Sequence, residues 1–103
     1  MNYQIIRTDK FEEQLREIIF YIAEDSGDAD IALRYLDKIE TAVMRLEDFP
    51  YSGSIPRYTI LKKQNYRVLI VERHLIFYKV EERTHRVVIY AIVDGRREYK
   101  NLI

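Results

Sequence analysis

The chain of 103 residues has no cysteine and no tryptophan, and only three glycines, two prolines and two histidines. Without cysteine there is neither a disulfide framework nor a thiolate nucleophile. His74 and His85 by themselves cannot build a structural zinc site, so neither metal nor cofactor is expected. Any chemistry must run on Arg, Lys, Tyr, His and carboxylates. There is no internal repeat and no low-complexity segment. No apolar run approaches the roughly 18 residues that a membrane helix needs. The segment Met1 to Arg7 also lacks a basic stretch followed by a long apolar one. A soluble, cytoplasmic chain with no membrane partner is the expectation.

What is present suits one compact core: 48% apolar residues with 13% aromatics predict a single domain over residues 1–103. The zero net charge hides an asymmetry. Residues 1–56 carry 6 Lys/Arg against 12 Asp/Glu, and residues 57–103 carry 11 against 5, so the halves stand at −6 and +6. Clustered charge steers partners even when the total is zero, which points to an anionic partner for the C-terminal half, nucleic acid or an acidic protein segment. A sheet edge solvated by Lys and Arg is the alternative.

Tyr3 to Ile6 is a short β-favouring run. Phe11, Leu15, Ile18, Ile19 and Ile22 then share one helical face, with Asp9 and Glu12 spaced as a capping box. Asp25-Ser26-Gly27-Asp28 ends that helix, and Asp28 or Asp30 can cap a second. The second helix presents Ala32, Tyr35, Leu36, Ile39, Val43 and Leu46, and stops at Asp48-Phe49-Pro50 because the residue before proline is pushed out of helical space. The turn-rich stretch from Tyr51 to Pro56 leads into three β-type runs, Tyr66–Val71, Leu75–Val80 and Val87–Val93, joined by short loops at Glu72-Arg73-His74 and Glu81 to Thr84. The predicted fold is α+β: an N-terminal strand, an antiparallel helical hairpin and a three-stranded antiparallel meander in one four-stranded sheet, all antiparallel.

The strands are apolar on both sides. Leu75 and Phe77 alternate with Ile76, Tyr78 and Val80, and Val88, Tyr90 and Ile92 alternate with Val87, Ile89, Ala91 and Val93. Two helices cover only one face, and monomers rarely expose large apolar patches. Either a partner protein covers the second face, or the connector Tyr51–Gln64 or the tail Arg96–Ile103 folds over it.

The block from Ala32 to Gly53, ALRYLDKIETAVMRLEDFPYSG, resembles the long second helix and P-x-x-G turn of ParE-type toxins. The run from Tyr66 to Glu81 resembles the strand hairpin shared by RelE, YoeB and ParE proteins, and Gly95-Arg96-Arg97-Glu98-Tyr99 resembles their basic-plus-aromatic tail. The chain is thereby identified as similar to the RelE/ParE superfamily of type II toxin–antitoxin systems across nearly its whole length. The resemblance implies a toxin that arrests growth and is neutralised by a cognate antitoxin in a hetero-oligomer. The antitoxin contact is expected at Leu75, Phe77, Tyr90 and Ile92.

The superfamily divides by target: RelE and YoeB relatives cut messenger RNA on the ribosome, whereas ParE relatives block DNA gyrase. Cleavage needs a base for the 2′-hydroxyl, cations for the phosphorane-like charge and a proton donor. In this resemblance Leu75 stands where the ribonucleases carry a phosphate-stabilising arginine. Leu69 stands near their strand lysine, with only Arg67 nearby to offer charge. The His-Tyr ending of YoeB-like members is replaced by Asn101-Leu102-Ile103. Ribosome-directed toxins are also expected to be strongly basic, against a pI of about 6.7 here. These departures favour a non-enzymatic gyrase inhibitor. A ribosome-dependent endoribonuclease is the alternative, and a non-toxic binding module the third. Ribonuclease candidates are Arg67, Arg96, Arg97 and Tyr99. Target or nucleic-acid contacts are expected at Lys62, Lys63, Arg67, Arg96, Arg97, Tyr99 and Lys100. His74, in or beside a hairpin loop, is a conceivable base but more readily a solvated side chain.

Overall fold

The computed structural model describes residues 2–103, apart from the side chain of Lys100. Strand β1 (Gln4–Arg7) passes directly into helix α1 (Asp9–Ser26). Thr8 is the cap, its Oγ1 accepting from the Phe11 amide at 3.2 Å. The Asp9–Glu12 box is therefore corrected. Glu12 instead accepts from Arg7 at 2.6 Å, and Arg7 reaches Glu40 at 2.5 Å, an ion triad tying β1 to both helices. Gly27, at φ 69°, ends α1 in the left-handed conformation that glycine adopts without a Cβ clash. Asp28 caps helix α2 (Ala29–Met44) by accepting from the Asp30 amide. A 3₁₀ turn at Arg45–Glu47 then runs the chain out ahead of Pro50.

After a short helix α3 (Thr59–Lys63), which the sequence reading missed, come β2 (Arg67–Val71), β3 (His74–Glu81) and β4 (Arg86–Asp94). The sheet order is β1-β4-β3-β2. The meander is antiparallel as expected, but β1 lies parallel to β4, so the sheet is mixed. No tight turn dictates the direction of β1, because both helices and the connector separate it from the other strands.

Phe11, Leu15, Ile39, Val43 and Leu46 pack on Ile76, Tyr78, Val87, Ile89 and Ile92 to form the main core. A bulge corrects the alternation read for β4. Phe77 pairs with Ala91 and Tyr78 with Ile89, leaving Tyr90 as the extra residue. Parity reverses there, so Ile92 faces the helices while Tyr90 does not.

The second sheet face is covered by the chain itself. Leu61 from α3 and Tyr99 from the tail bury Val68, Phe77 and Val93, with Tyr58, Tyr66, Leu75 and Ile103 around them. Of the two outcomes open from sequence, self-coverage is the one realised. No helix among the described residues is long and apolar enough to cross a membrane.

Candidate functional site

The P-x-x-G turn has a mechanical explanation in Tyr78. Its buried hydroxyl donates to the Pro50 carbonyl at 2.8 Å and accepts from the Gly53 amide at 2.9 Å. A Cβ on Gly53 would sit 2.5 Å from that hydroxyl and 2.9 Å from the Val68 carbonyl oxygen, so only glycine permits the approach. Arg67 closes the same turn. Its guanidinium donates to the carbonyls of Tyr51 (3.0 Å) and Gly53 (2.9 Å) and lies over the Tyr51 ring. Its Nε is buried with no hydrogen-bond partner among the described residues. Arg67 thus holds the connector onto the sheet.

Arg96 and Tyr99 of the tail are equally engaged. Asp94 accepts from the Arg96 backbone amide and from two nitrogens of its guanidinium. Those bonds hold the Asp94 carboxyl down at about 2. Tyr99 is 4% exposed, packed edge-on to Tyr58 and against Phe77. Arg97, Lys62 and Lys63 are exposed, and the Lys100 side chain lies outside the described residues. The site residues expected from sequence therefore do not converge. Arg67 stands on the helix-facing side of β2, Tyr99 on the opposite face, and Arg96 and Arg97 beyond the end of β4.

The residues assigned to antitoxin contact fare differently from one another. Phe77 and Ile92 are 1% exposed, buried in the two separate cores. Leu75 is partly buried against Gly95 and the second core. Tyr90 is half-buried beside Tyr66. Of the exposed large apolar residues, Met44, Phe49, Tyr51, Ile55, Ile60, Ile70 and Leu102 are scattered elsewhere on the surface, while Phe20, Tyr21, Ile31 and Leu33 lie near the turn between the helices and are 41–66% exposed. Two grooves flank them. One, of about 540 Å³, is walled by Tyr21, Ile31, Arg34, Tyr35, Lys38, Arg73 and His74. The other, of about 320 Å³, has Leu15, Ile19, Phe20 and Leu36 between Arg7 and Glu40.

Comparison with known proteins adds the decisive observation. Residues 5–99 match the family described as the ParE toxin of the type II toxin–antitoxin system parDE. The chain belongs to the ParE toxin family. Its fold is similar to that in the crystal structure of the toxin–antitoxin complex RelBE2 from Mycobacterium tuberculosis, with a TM-score of 0.62 at 15% identity, covering 91% of this chain and 99% of that one. No curated protein matches the sequence. The chain is accordingly a type II toxin–antitoxin toxin with the α+β fold read from its sequence.

In this ParE-family chain the histidine expected in a loop is structural. The β2–β3 turn takes only Glu72 and Arg73, which places His74 in β3, 3% exposed, with Nδ1 2.6 Å from the Tyr35 hydroxyl. Burial, then the neighbouring Arg73, pushes its pKa below the ordinary value; Arg96 acts the same way, while Asp94 and Glu72 oppose. A histidine with a depressed folded-state pKa takes up its proton more readily when unfolded. Stability is therefore complete above the unfolded value of about 6.5 and is lost as pH falls from there through the folded value. Thermal unfolding is expected to shift down between pH 7.5 and 5.5, and His74→Gln should flatten that slope. A profile unchanged by the substitution would assign the pH dependence to other groups.

Sequence reading also passed over Lys79. Its ammonium lies 4.5 Å from the centroid of the Tyr66 ring and 5.4 Å from that of Tyr90. The one signal in the sequence was a lysine following the apolar run Leu75–Tyr78; the two tyrosines come from distant parts of the chain.

Proposed function

We propose that this toxin arrests growth by acting on DNA gyrase without hydrolytic chemistry of its own, and that a cognate antitoxin holds it silent through the helical hairpin. The observation that carries the first part is the engagement of three of the four ribonuclease candidates; the fourth, Arg97, is exposed and stands beyond the end of β4. Arg67 is spent on two backbone carbonyls, Arg96 on Asp94, and Tyr99 on packing. Message cleavage needs a base, a cation and an acid converging within hydrogen-bond reach of one phosphate. These three residues stand on different faces. Membership of the ParE family supports the same choice.

For the antitoxin, burial of Phe77 and Ile92 shifts the expected contact to Phe20, Tyr21, Ile31 and Leu33 and the grooves beside them. Exposed large apolar residues near grooves are the usual anchors for a partner segment.

One set of reactions tests both statements. Purified toxin is incubated with gyrase, ATP and plasmid beside a translation reaction probed for message cleavage. Loss of supercoiling with intact message is the expected result; cut message with normal supercoiling would overturn it. With antitoxin added, the Tyr21→Glu and Leu33→Glu variants should still act on gyrase but need at least roughly ten-fold more antitoxin for silencing, the loss expected for an interface anchor. Unchanged neutralisation of both would place the contact elsewhere.

A further inference from the structure

The second sheet face carries an unbroken run of five aromatic rings. Tyr58 meets Tyr99 at 5.3 Å between centroids, Tyr99 meets Phe77 at 5.6 Å, Phe77 meets Tyr66 at 6.3 Å and Tyr66 meets Tyr90 at 5.5 Å. A cation caps each end: Arg57 lies over Tyr58, and Lys79 over both Tyr66 and Tyr90. The middle rings, Phe77 and Tyr99, are buried and fix the ladder rigidly. Tyr66, Lys79 and Tyr90 at the far end are only partly buried and reachable from solvent.

Lys79 makes no ion pair among the described residues, and the neighbouring carboxylate of Glu81 is taken by Arg86 at 2.8 Å. An ammonium resting on two rings in place of a carboxylate is held weakly and is easily drawn away by a stronger anion. The exposed Lys62 and Lys63 stand four and three residues before Tyr66, at the end of α3.

We propose that Tyr66, Lys79 and Tyr90 form a binding subsite for single-stranded nucleic acid, a base stacking on the Tyr90 ring, to which Tyr66 stands nearly perpendicular, while Lys79 turns to the adjoining phosphate. The electron-rich faces of tyrosine repel a carboxylate but accept the flat face of a base, which disfavours an acidic peptide here. A duplex keeps its bases stacked on one another and offers only phosphates, so the subsite selects unpaired strands. The inference concerns binding alone and stands apart from the choice of gyrase as target.

The test uses the full chain and a fluorescein-labelled short oligothymidylate at low salt, read by anisotropy with neither gyrase nor ribosome present. Its failure therefore leaves the proposed function untouched. Tyr90→Leu should weaken binding by about ten-fold and Tyr90→Phe should not, because the ring face and not the hydroxyl is used. Lys79→Ala should lower the slope of log affinity against log salt by about 0.7, the share of one phosphate contact, while Lys79→Arg preserves it. A duplex of the same length should bind more weakly and be indifferent to Tyr90→Leu. Thermal unfolding of each variant confirms that the fold is kept, and both lysine variants leave the ring pair intact. The proposal is overturned if wild type does not bind at low salt, or if Tyr90→Leu and Lys79→Ala bind like wild type. Loss confined to a Lys62→Ala, Lys63→Ala double variant, or equal competition by polyglutamate, would overturn it too.

Discussion

Replacing Tyr78 by phenylalanine is expected to lower the stability of the toxin by about 3 kcal/mol, although only one oxygen atom is removed. That hydroxyl both donates to the Pro50 carbonyl and accepts from the Gly53 amide, and all three residues are buried. A buried polar group left without its partner costs roughly 1–3 kcal/mol, and here two are orphaned together. For a domain of this size such a loss corresponds to a fall in Tm of roughly 10–20 °C. Gly53→Ala should cost a similar amount, because its Cβ cannot share space with the hydroxyl. The two changes break one contact, so the double variant should be clearly less damaged than the sum of the singles. Strict additivity in chemical denaturation would show that the hydroxyl does not hold the turn.

The second large effect belongs to Tyr99. Its ring lies in the second core against Phe77 and Tyr58, so Tyr99→Ala should cost about 3–5 kcal/mol, as for other buried aromatic truncations. The same change uncovers Phe77 and Val93, and the variant should aggregate on heating. Tyr99→Phe keeps the ring and should retain both stability and growth arrest. If Tyr99→Phe abolishes arrest while unfolding at the wild-type temperature, the hydroxyl has a chemical role and the packing assignment is wrong. This pair separates a tail that matters for folding from one that matters for activity, which a truncation confounds.

Much of the fold was legible locally. Helix spacing from Phe11 to Ile22 and from Ala32 to Leu46, the stop at Pro50 and the three apolar runs all correspond to observed elements. The errors arose where a neighbour distant in sequence decided the outcome. Thr8, not Asp9, became the cap because its hydroxyl also donates to the Ile89 carbonyl across the sheet. His74 left the loop because two residues sufficed for the turn and Tyr35 was waiting on α2. The bulge at Tyr90 sent Ile92 to the helix side, which no period-two pattern in a strand apolar on both faces can reveal.

The site was less legible, for a reason visible in Arg67. As a residue type in a basic half, it reads equally as a phosphate ligand or as a clamp. Only the carbonyls of Tyr51 and Gly53, sixteen and fourteen residues earlier, decide between them. Tyr99 and Phe77 look alike as candidate contacts until each is seen to bury the other. Lys79 looks like an ordinary strand lysine until Tyr66, just ahead of β2, and Tyr90 of β4 meet beneath it.

By itself the sequence determined the apolar faces of the two helices, the helical hairpin, the meander and the family, because hydrophobic period, caps and turn residues act over a few neighbours and leave a local trace. Tertiary structure alone decided the parallel placement of β1, the closing of the second sheet face by the connector and tail, and which charged and aromatic side chains remain available. Those outcomes depend on contacts between segments dozens of residues apart. Their energies come from desolvation and hydrogen-bond satisfaction, which exist only once the segments have met.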